Sequence, residues 1–127
     1  MANDQHSCAV GEIRGNVLIV TVLLEQIRDP KTSYALRDEI LSLLEAGEIR
    51  HVAVDLGRVT FMGSVGLLAL LTVRRQIPDG DVVLCNLSEA IHDMLEVCML
   101  ISANPIKTAP FQAAESVAAA LKQLQAK

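Results

Sequence analysis

Few side chains in this sequence could do chemistry, and most of them stand apart from one another. Three histidines, His6, His51 and His92, fall on different stretches, and none belongs to a recognisable metal-ligand spacing. Three cysteines, Cys8, Cys85 and Cys98, are an odd number without a C-x-x-C pair. This argues against a disulfide framework or a zinc site and for reduced, mostly buried thiols. A redox-sensing pair of Cys85 and Cys98 is the sharper alternative. Asp55 closes a predicted central strand, where α/β folds place catalytic or metal-binding acids. With no second acid nearby, it reads as an acceptor for the backbone N–H groups of the turn that follows. The stretch Gly63-Ser64-Val65-Gly66 lacks the lysine of a phosphate-binding loop and the G-x-G-x-x-G spacing. Nor is it a G-x-S-x-G nucleophile elbow, because Met62 occupies the first glycine position. We therefore expect no catalytic residue, no metal and no cofactor. What remains is one hydroxyl, Ser64, placed where a helix begins.

That hydroxyl must be positioned by its surroundings, and the composition bounds what these are. The chain has 127 residues, enough for one domain with a core of its own. Its apolar fraction is 51 % and its aromatic fraction 2 %, so the core is aliphatic, as in layered α/β packing. Net charge is −4, and Arg74-Arg75 is the largest basic cluster, which disfavours nucleic acid or an anionic membrane as a partner. No apolar run reaches the roughly 18 residues of a membrane span. The N-terminus lacks the layout of a signal peptide, so a cytoplasmic protein is expected.

Residues 1–7 are polar and read as a loose N-terminus, with 8–127 as a single domain. Cys8–Arg14 alternates like an edge strand, and Gly15-Asn16 turns the chain into Val17–Leu24. The second strand is apolar on both sides, hence covered on both faces. Asp29-Pro30 is a cap followed by a first-turn proline, and Leu36, Ile40, Leu43 and Leu44 repeat at helical spacing up to Gly47. His51–Leu56 is a central strand, and a helix apolar nearly all round follows Ser64. Pro78-Asp79-Gly80 turns the chain into the strand Asp81–Leu87. Ser88-Glu89 opens a helix with Ile91, Met94, Leu95 and Cys98 on one side. Pro105 limits any strand within Ile101–Ala109 to a short edge, and a last helix is expected over Phe111–Gln125. The order β-β-α-β-α-β-α-β-α implies a mostly parallel central sheet, an antiparallel N-terminal strand and helices packed against it.

The run Asp55-Leu56-Gly57-Arg58-Val59-Thr60-Phe61-Met62-Gly63-Ser64-Val65-Gly66-Leu67 resembles the signature of STAS domains, D-L-x-x-V-x-F-[ILM]-D-S-[ST]-G-L. Asp29 stands where that family has a Leu-Asp pair before its first helix. Cys85-Asn86-Leu87 and Cys98-Met99-Leu100 resemble its fourth strand and the [ST]-G-L that ends the next helix. Within that family, a stand-alone chain of this length resembles the bacterial anti-sigma factor antagonists. The resemblance implies the STAS fold and a regulatory role: binding an anti-sigma factor that doubles as a serine kinase, and thereby freeing a sigma factor. It also implies phosphorylation at Ser64, reversed by a PP2C-type phosphatase. Gly63 replaces the family aspartate and Val65 its second Ser/Thr, whereas Gly66 and Leu67 match.

A phosphate on Ser64 would add about −1.5 to −2 charges at the positive end of a helix, which the domain itself tolerates. Its effect would fall on a partner seated on neighbouring apolar surface. Asp29, Met62, Gly63, Ser64, Val65 and Leu68 are the expected partner-binding residues. A serine here could equally be a plain helix cap, and the sequence leaves both roles standing. Rival readings are a phosphorylation-independent STAS scaffold or ABC-transporter accessory, and an antagonist governed by thiol oxidation. Homodimerisation is left open.

Overall fold

The computed structural model describes residues 7–101 and 109–125. Two strands, β1 (Ala9–Arg14) and β2 (Val17–Val22), form an antiparallel hairpin around Gly15, whose φ of +62° suits a residue without Cβ. β3 (Gln26–Ile27) leads into α1 (Pro30–Leu44), and β4 (His51–Asp55) follows. Then come β5 (Phe61–Met62), α2 (Ser64–Gln76), β6 (Val82–Cys85) and α3 (Glu89–Val97), with β7 (Gln112–Ala114) and α4 (Val117–Gln125) last. The main sheet runs β1-β2-β4-β6-β7, parallel throughout except for β1, as the alternation of strands and helices demands.

The apolar strands divide their side chains between two cores, because successive residues face opposite sides. Leu18, Val20, Val22, Val52, Val54, Val82 and Leu84 join Leu36 and Ile40 of α1, Leu70 and Val73 of α2, and Ile91 and Leu95 of α3. Val17, Ile19, Ala53, Val83 and Cys85 face the other way, against Ala120, Leu121 and Leu124 of α4. The expectation that β2 is covered on both faces is thereby met. Among the described residues no helix is long and apolar enough to cross a membrane.

Local signals explain where the helices start. Asp29 caps α1 by accepting from the Thr32 N–H at 3.2 Å, with Pro30 next in line, and Ser88 caps α3 by accepting from the Ile91 N–H at 3.2 Å. α1 stops at Leu44, and Gly47 lies in the turn beyond it. At the tight turn before β6, a Cβ on Gly80 would sit 1.6 Å from the Arg50 carbonyl oxygen, so no larger residue fits.

The C-terminal third corrects two expectations. The last strand is Gln112–Ala114, not a stretch of Ile101–Ala109; Ile101 makes one parallel bridge to Phe111, and 102–108, Pro105 included, lie outside the described residues. The last helix starts at Val117, not Phe111, because Phe111 is drawn into the core and the Ser116 hydroxyl caps the Ala119 N–H at 3.1 Å. The loose N-terminus expected over 1–7 falls outside the described residues except for exposed Ser7.

Two-residue β3 and β5 pair in parallel as a separate small sheet, which no periodicity could announce. This pairing holds the loops before α1 and α2 side by side and sets up the surface around Ser64.

Candidate functional site

Backbone bonds fix the loop before α2 against the one before α1. Thr60 N–H donates to the Glu25 carbonyl at 2.8 Å and Gly63 N–H to the Ile27 carbonyl at 2.9 Å. Phe61 and Met62 alternate as strand residues do: Phe61 stays 45 % exposed, while Met62 is 3 % exposed in the core. Met62 therefore cannot belong to a docking surface, which corrects its expected role. It supports the loop from beneath instead. A Cβ on Gly66 would lie 2.5 Å from Met62 Cγ and 3.1 Å from Ile27 Cγ2, so the first turn of α2 packs this closely only with glycine there.

Ser64 is the first residue of α2, and Gly63, with φ −83° and ψ 179°, is the cap. This corrects the cap role considered for Ser64. Its side chain is exposed and makes no hydrogen bond among the described residues, and no side chain caps the α2 N-terminus. The hydroxyl is thus available at the positive end of a 13-residue helix.

Leu68, one turn on, is 59 % exposed, and Val65 is half-buried with its carbonyl accepting from the buried Ser33 hydroxyl of α1. That bond ties the N-terminal turns of α1 and α2 together. Two arginines stack on aromatic rings from the same pair of loops and helices: Arg28 over Phe61 at 4.9 Å and Arg37 over Tyr34 at 4.8 Å. Ser33, Tyr34, Arg37, Leu68, Thr72 and Arg75 line a groove of about 220 Å³ between α1 and α2. Asp29 is exposed at the head of α1, and hydrogen bonds from the Thr32 hydroxyl and N–H hold its carboxyl below the usual range.

Of the residues expected from sequence, Gly63, Ser64, Val65 and Leu68 gather at the start of α2, Asp29 stands at the neighbouring α1 start, and Met62 drops beneath. Sequence reasoning missed Arg28, Tyr34, Arg37 and Phe61. Tyr34 was visible as an aromatic off the Leu36–Ile40 face of α1, but nothing in its spacing pairs it with Leu68.

The other candidates resolve into structure. Asp55 accepts from the Gly57 N–H at 2.9 Å and from Asn86 Nδ2 at 3.0 Å, bracing two loop turns, as its sequence context suggested. His51 is buried, and its Nδ1 accepts from the Asp81 N–H at 3.0 Å. His92 shares the solvent side of α3 with Asp93 and Glu96, their ligand atoms within 4.8 Å of one another. Burial pushes the Cys85 thiol up to about 12 and the Cys8 thiol to about 11, and Cys98 is exposed at the end of α3. Cys85 sits under α4, in the core opposite the one α3 joins, so it is not arranged as a redox partner of Cys98.

Comparison with known families places this geometry. Residues 12–113 match the model of the STAS domain. The chain belongs to the STAS domain family. A Bordetella bronchiseptica protein provisionally named anti-sigma factor antagonist BtrV is 30 % identical over 101 residues, covering 78 % of this chain and 83 % of that protein. An anti-sigma factor antagonist from Mycobacterium paratuberculosis shares the fold at a TM-score of 0.73 and 23 % identity, over 92 % of each chain. The anti-sigma factor antagonist SpoIIAA shares it in two states. The unphosphorylated form has a TM-score of 0.66 and 16 % identity over 94 % of this chain and 99 % of that one. The phosphorylated form, described as a Bacillus cell fate determinant, has 0.63 and 18 % over 91 % and 97 %. In this STAS domain the two signature positions kept after Ser64 have structural duties. Gly66 admits Met62, and Leu67, 9 % exposed, anchors α2 in the core.

Proposed function

We propose that this STAS domain is an anti-sigma factor antagonist whose docking face is the α1–α2 surface around Ser64, and that phosphorylation of Ser64 switches it off. The observation that carries this reading is the exposed Ser64 hydroxyl at the first position of α2, without a hydrogen bond among the described residues and flanked by the exposed side chain of Leu68. The partner is an anti-sigma factor with serine-kinase activity. Asp29, Gly63, Val65 and Leu68 form its seat together with Tyr34 and Phe61. Transfer of the γ-phosphoryl group to Ser64 Oγ needs the serine proton removed or oriented, and Gly63 carries no carboxylate that could do this. The base therefore comes from the kinase. The product adds about −1.5 to −2 charges beside Leu68, where a seated partner would have to desolvate them. The helix dipole accepts the same charge without refolding, consistent with a fold shared by both states of SpoIIAA. Release of the partner then ends the antagonism, and a PP2C-type phosphatase in the cytoplasm restores it.

The test is the intact mass of the protein from its own cells with the site mapped by fragmentation, paired with partner binding by Ser64→Ala and Ser64→Asp. Phosphate on Ser64, with binding kept by the alanine variant and lost by the aspartate, is the expected result. An unmodified chain under growth and stress alike, with binding indifferent to Ser64→Asp, would instead identify a scaffold such as a transporter accessory subunit.

A further inference from the structure

The outer edge of the sheet carries a self-complementary pattern that the antagonist role does not use. Five of the six residues of β1 are exposed, and among the described residues no strand pairs with its outer side. An unpaired edge invites another chain unless a proline, a bulge or like charges repel it. β1 contains no proline and pairs with β2 in an unbroken register. Its start is tied down, because Glu39 of α1 accepts from the Cys8 and Ala9 N–H groups at 2.8 and 3.3 Å. The stretch left open is Gly11-Glu12-Ile13-Arg14-Gly15. Glu12 and Arg14 share one face and reach each other at 2.7 Å, with both side chains 58 % exposed. Ile13, 42 % exposed, points to the other face.

We propose that two copies of this chain associate through β1, antiparallel about a two-fold axis at Ile13, joining their sheets edge to edge. In that register Ile13 faces Ile13 of the second copy. Glu12 lies opposite Arg14 and Arg14 opposite Glu12, so two ion pairs form on one face and an apolar pair on the other. Gly11 and Gly15 fall opposite each other at both ends and bring no side chain of their own into the approach; Leu43 of α1 lies over Gly11, and the space beside Gly15 is open. Residues of equal parity face each other, so the helix layers of both copies stay on the same side. This is the isologous arrangement that a two-fold requires. Shifting the pairing by two residues, to a centre at Glu12 or Arg14, sets Glu12 opposite Glu12 or Arg14 opposite Arg14 and breaks the Glu–Arg match. The occupant selected by the charges is therefore a second copy of this chain. The edge is short, so the dimer is a weak one that forms with rising concentration.

Charge reversal tests both the partner and the register. Sedimentation equilibrium of the full chain over a wide concentration range is expected to show a monomer–dimer equilibrium. Glu12→Arg or Arg14→Glu alone should weaken it by about tenfold or more, because each turns two attractive pairs into repulsive ones. The double reversal Glu12→Arg with Arg14→Glu restores both pairs and should return the equilibrium to near its original value. Circular dichroism of each variant confirms that the fold is kept. A monomer at every concentration overturns the proposal, as does a dimer unaffected by the single reversals or one that the double reversal fails to restore.

Discussion

At Gly63 the chain departs from the STAS signature without any steric compulsion. A Cβ there would meet the Ile27 carbonyl oxygen at 3.7 Å and Phe61 Cε2 at 3.8 Å, ordinary contact distances, and the backbone is extended with negative φ. Gly63→Asp therefore fits. The new carboxylate would sit at the helix cap beside Ser64 and supply the side-chain acceptor that α2 lacks. Two measurements should move. Urea denaturation should show a gain of a few tenths of a kcal/mol, the usual difference between aspartate and glycine at a cap. Under the phosphoswitch proposed above, phosphate incorporation at Ser64 by the proposed kinase partner should become faster, since a carboxylate now orients the hydroxyl. An unchanged rate would mean that such a kinase positions Ser64 without help from residue 63. Gly66 is the opposite case. Gly66→Ala drives a methyl into Met62, which is buried and backed by Ile27, so overpacking should cost about 1–3 kcal/mol. Combining it with Met62→Ala should recover part of that loss. A strictly additive double variant would show that the two residues do not share the space.

Among the elements, the end of α3 holds the clearest local conflict between sequence and conformation. The Leu100 N–H donates to the Leu95 carbonyl at 2.8 Å and the Met99 N–H to the Glu96 carbonyl at 3.0 Å, the paired bonds of a Schellman ending. That ending needs a left-handed residue, and Met99 supplies it at φ +62°, a conformation that suits glycine. Met99 is 74 % exposed, so its side chain gives little packing in return. Met99→Gly should stabilise the domain by about 1 kcal/mol and raise Tm by roughly 4 °C by calorimetry. Element starts were legible because their signals are chemical: Asp29-Pro30 and Ser88-Glu89 each bring a cap acceptor to a helical pattern. The C-terminal elements were not. The alanines of 112–120 offer no contrast between faces, so strand, turn and helix merged into one predicted helix, and the Ser116 cap inside it went unread. β3 and β5 are two residues each, too short for any period, yet they bring Phe61 beside the loop that enters α1.

For the whole molecule, the legible part was the layering and the hidden part was the surface that it leaves outside. Apolar runs in β2, β4 and β6 announce a sheet covered on both faces. That Tyr34 and Leu68 line one groove follows from two separate helices meeting, and no local pattern records that meeting. The two-core arrangement has a consequence for pH. Cys85 is fully buried beneath α4, and desolvation raises its thiol from the ordinary 9.0 to about 12, while Cys8 is raised to about 11. A raised pKa means that the folded chain keeps protons that the unfolded chain has already released. The contribution is complete below about pH 9 and is lost as pH climbs through the folded values toward 11 and 12. The urea midpoint should therefore fall between pH 8 and pH 10.5, a range chosen to bracket the unfolded thiol value of roughly 8.5–9. Cys85→Ala should start lower, because it leaves a small void, but fall less steeply over the same range. An aromatic disulfide reagent at pH 8 checks the same burial kinetically. Cys98 should react at once in the native protein, whereas Cys8 and Cys85 should react only as fast as the fold opens. If Cys85 reacted as quickly as Cys98, α4 would be lifting from the sheet without global unfolding, and the second core would be a separate, weaker unit.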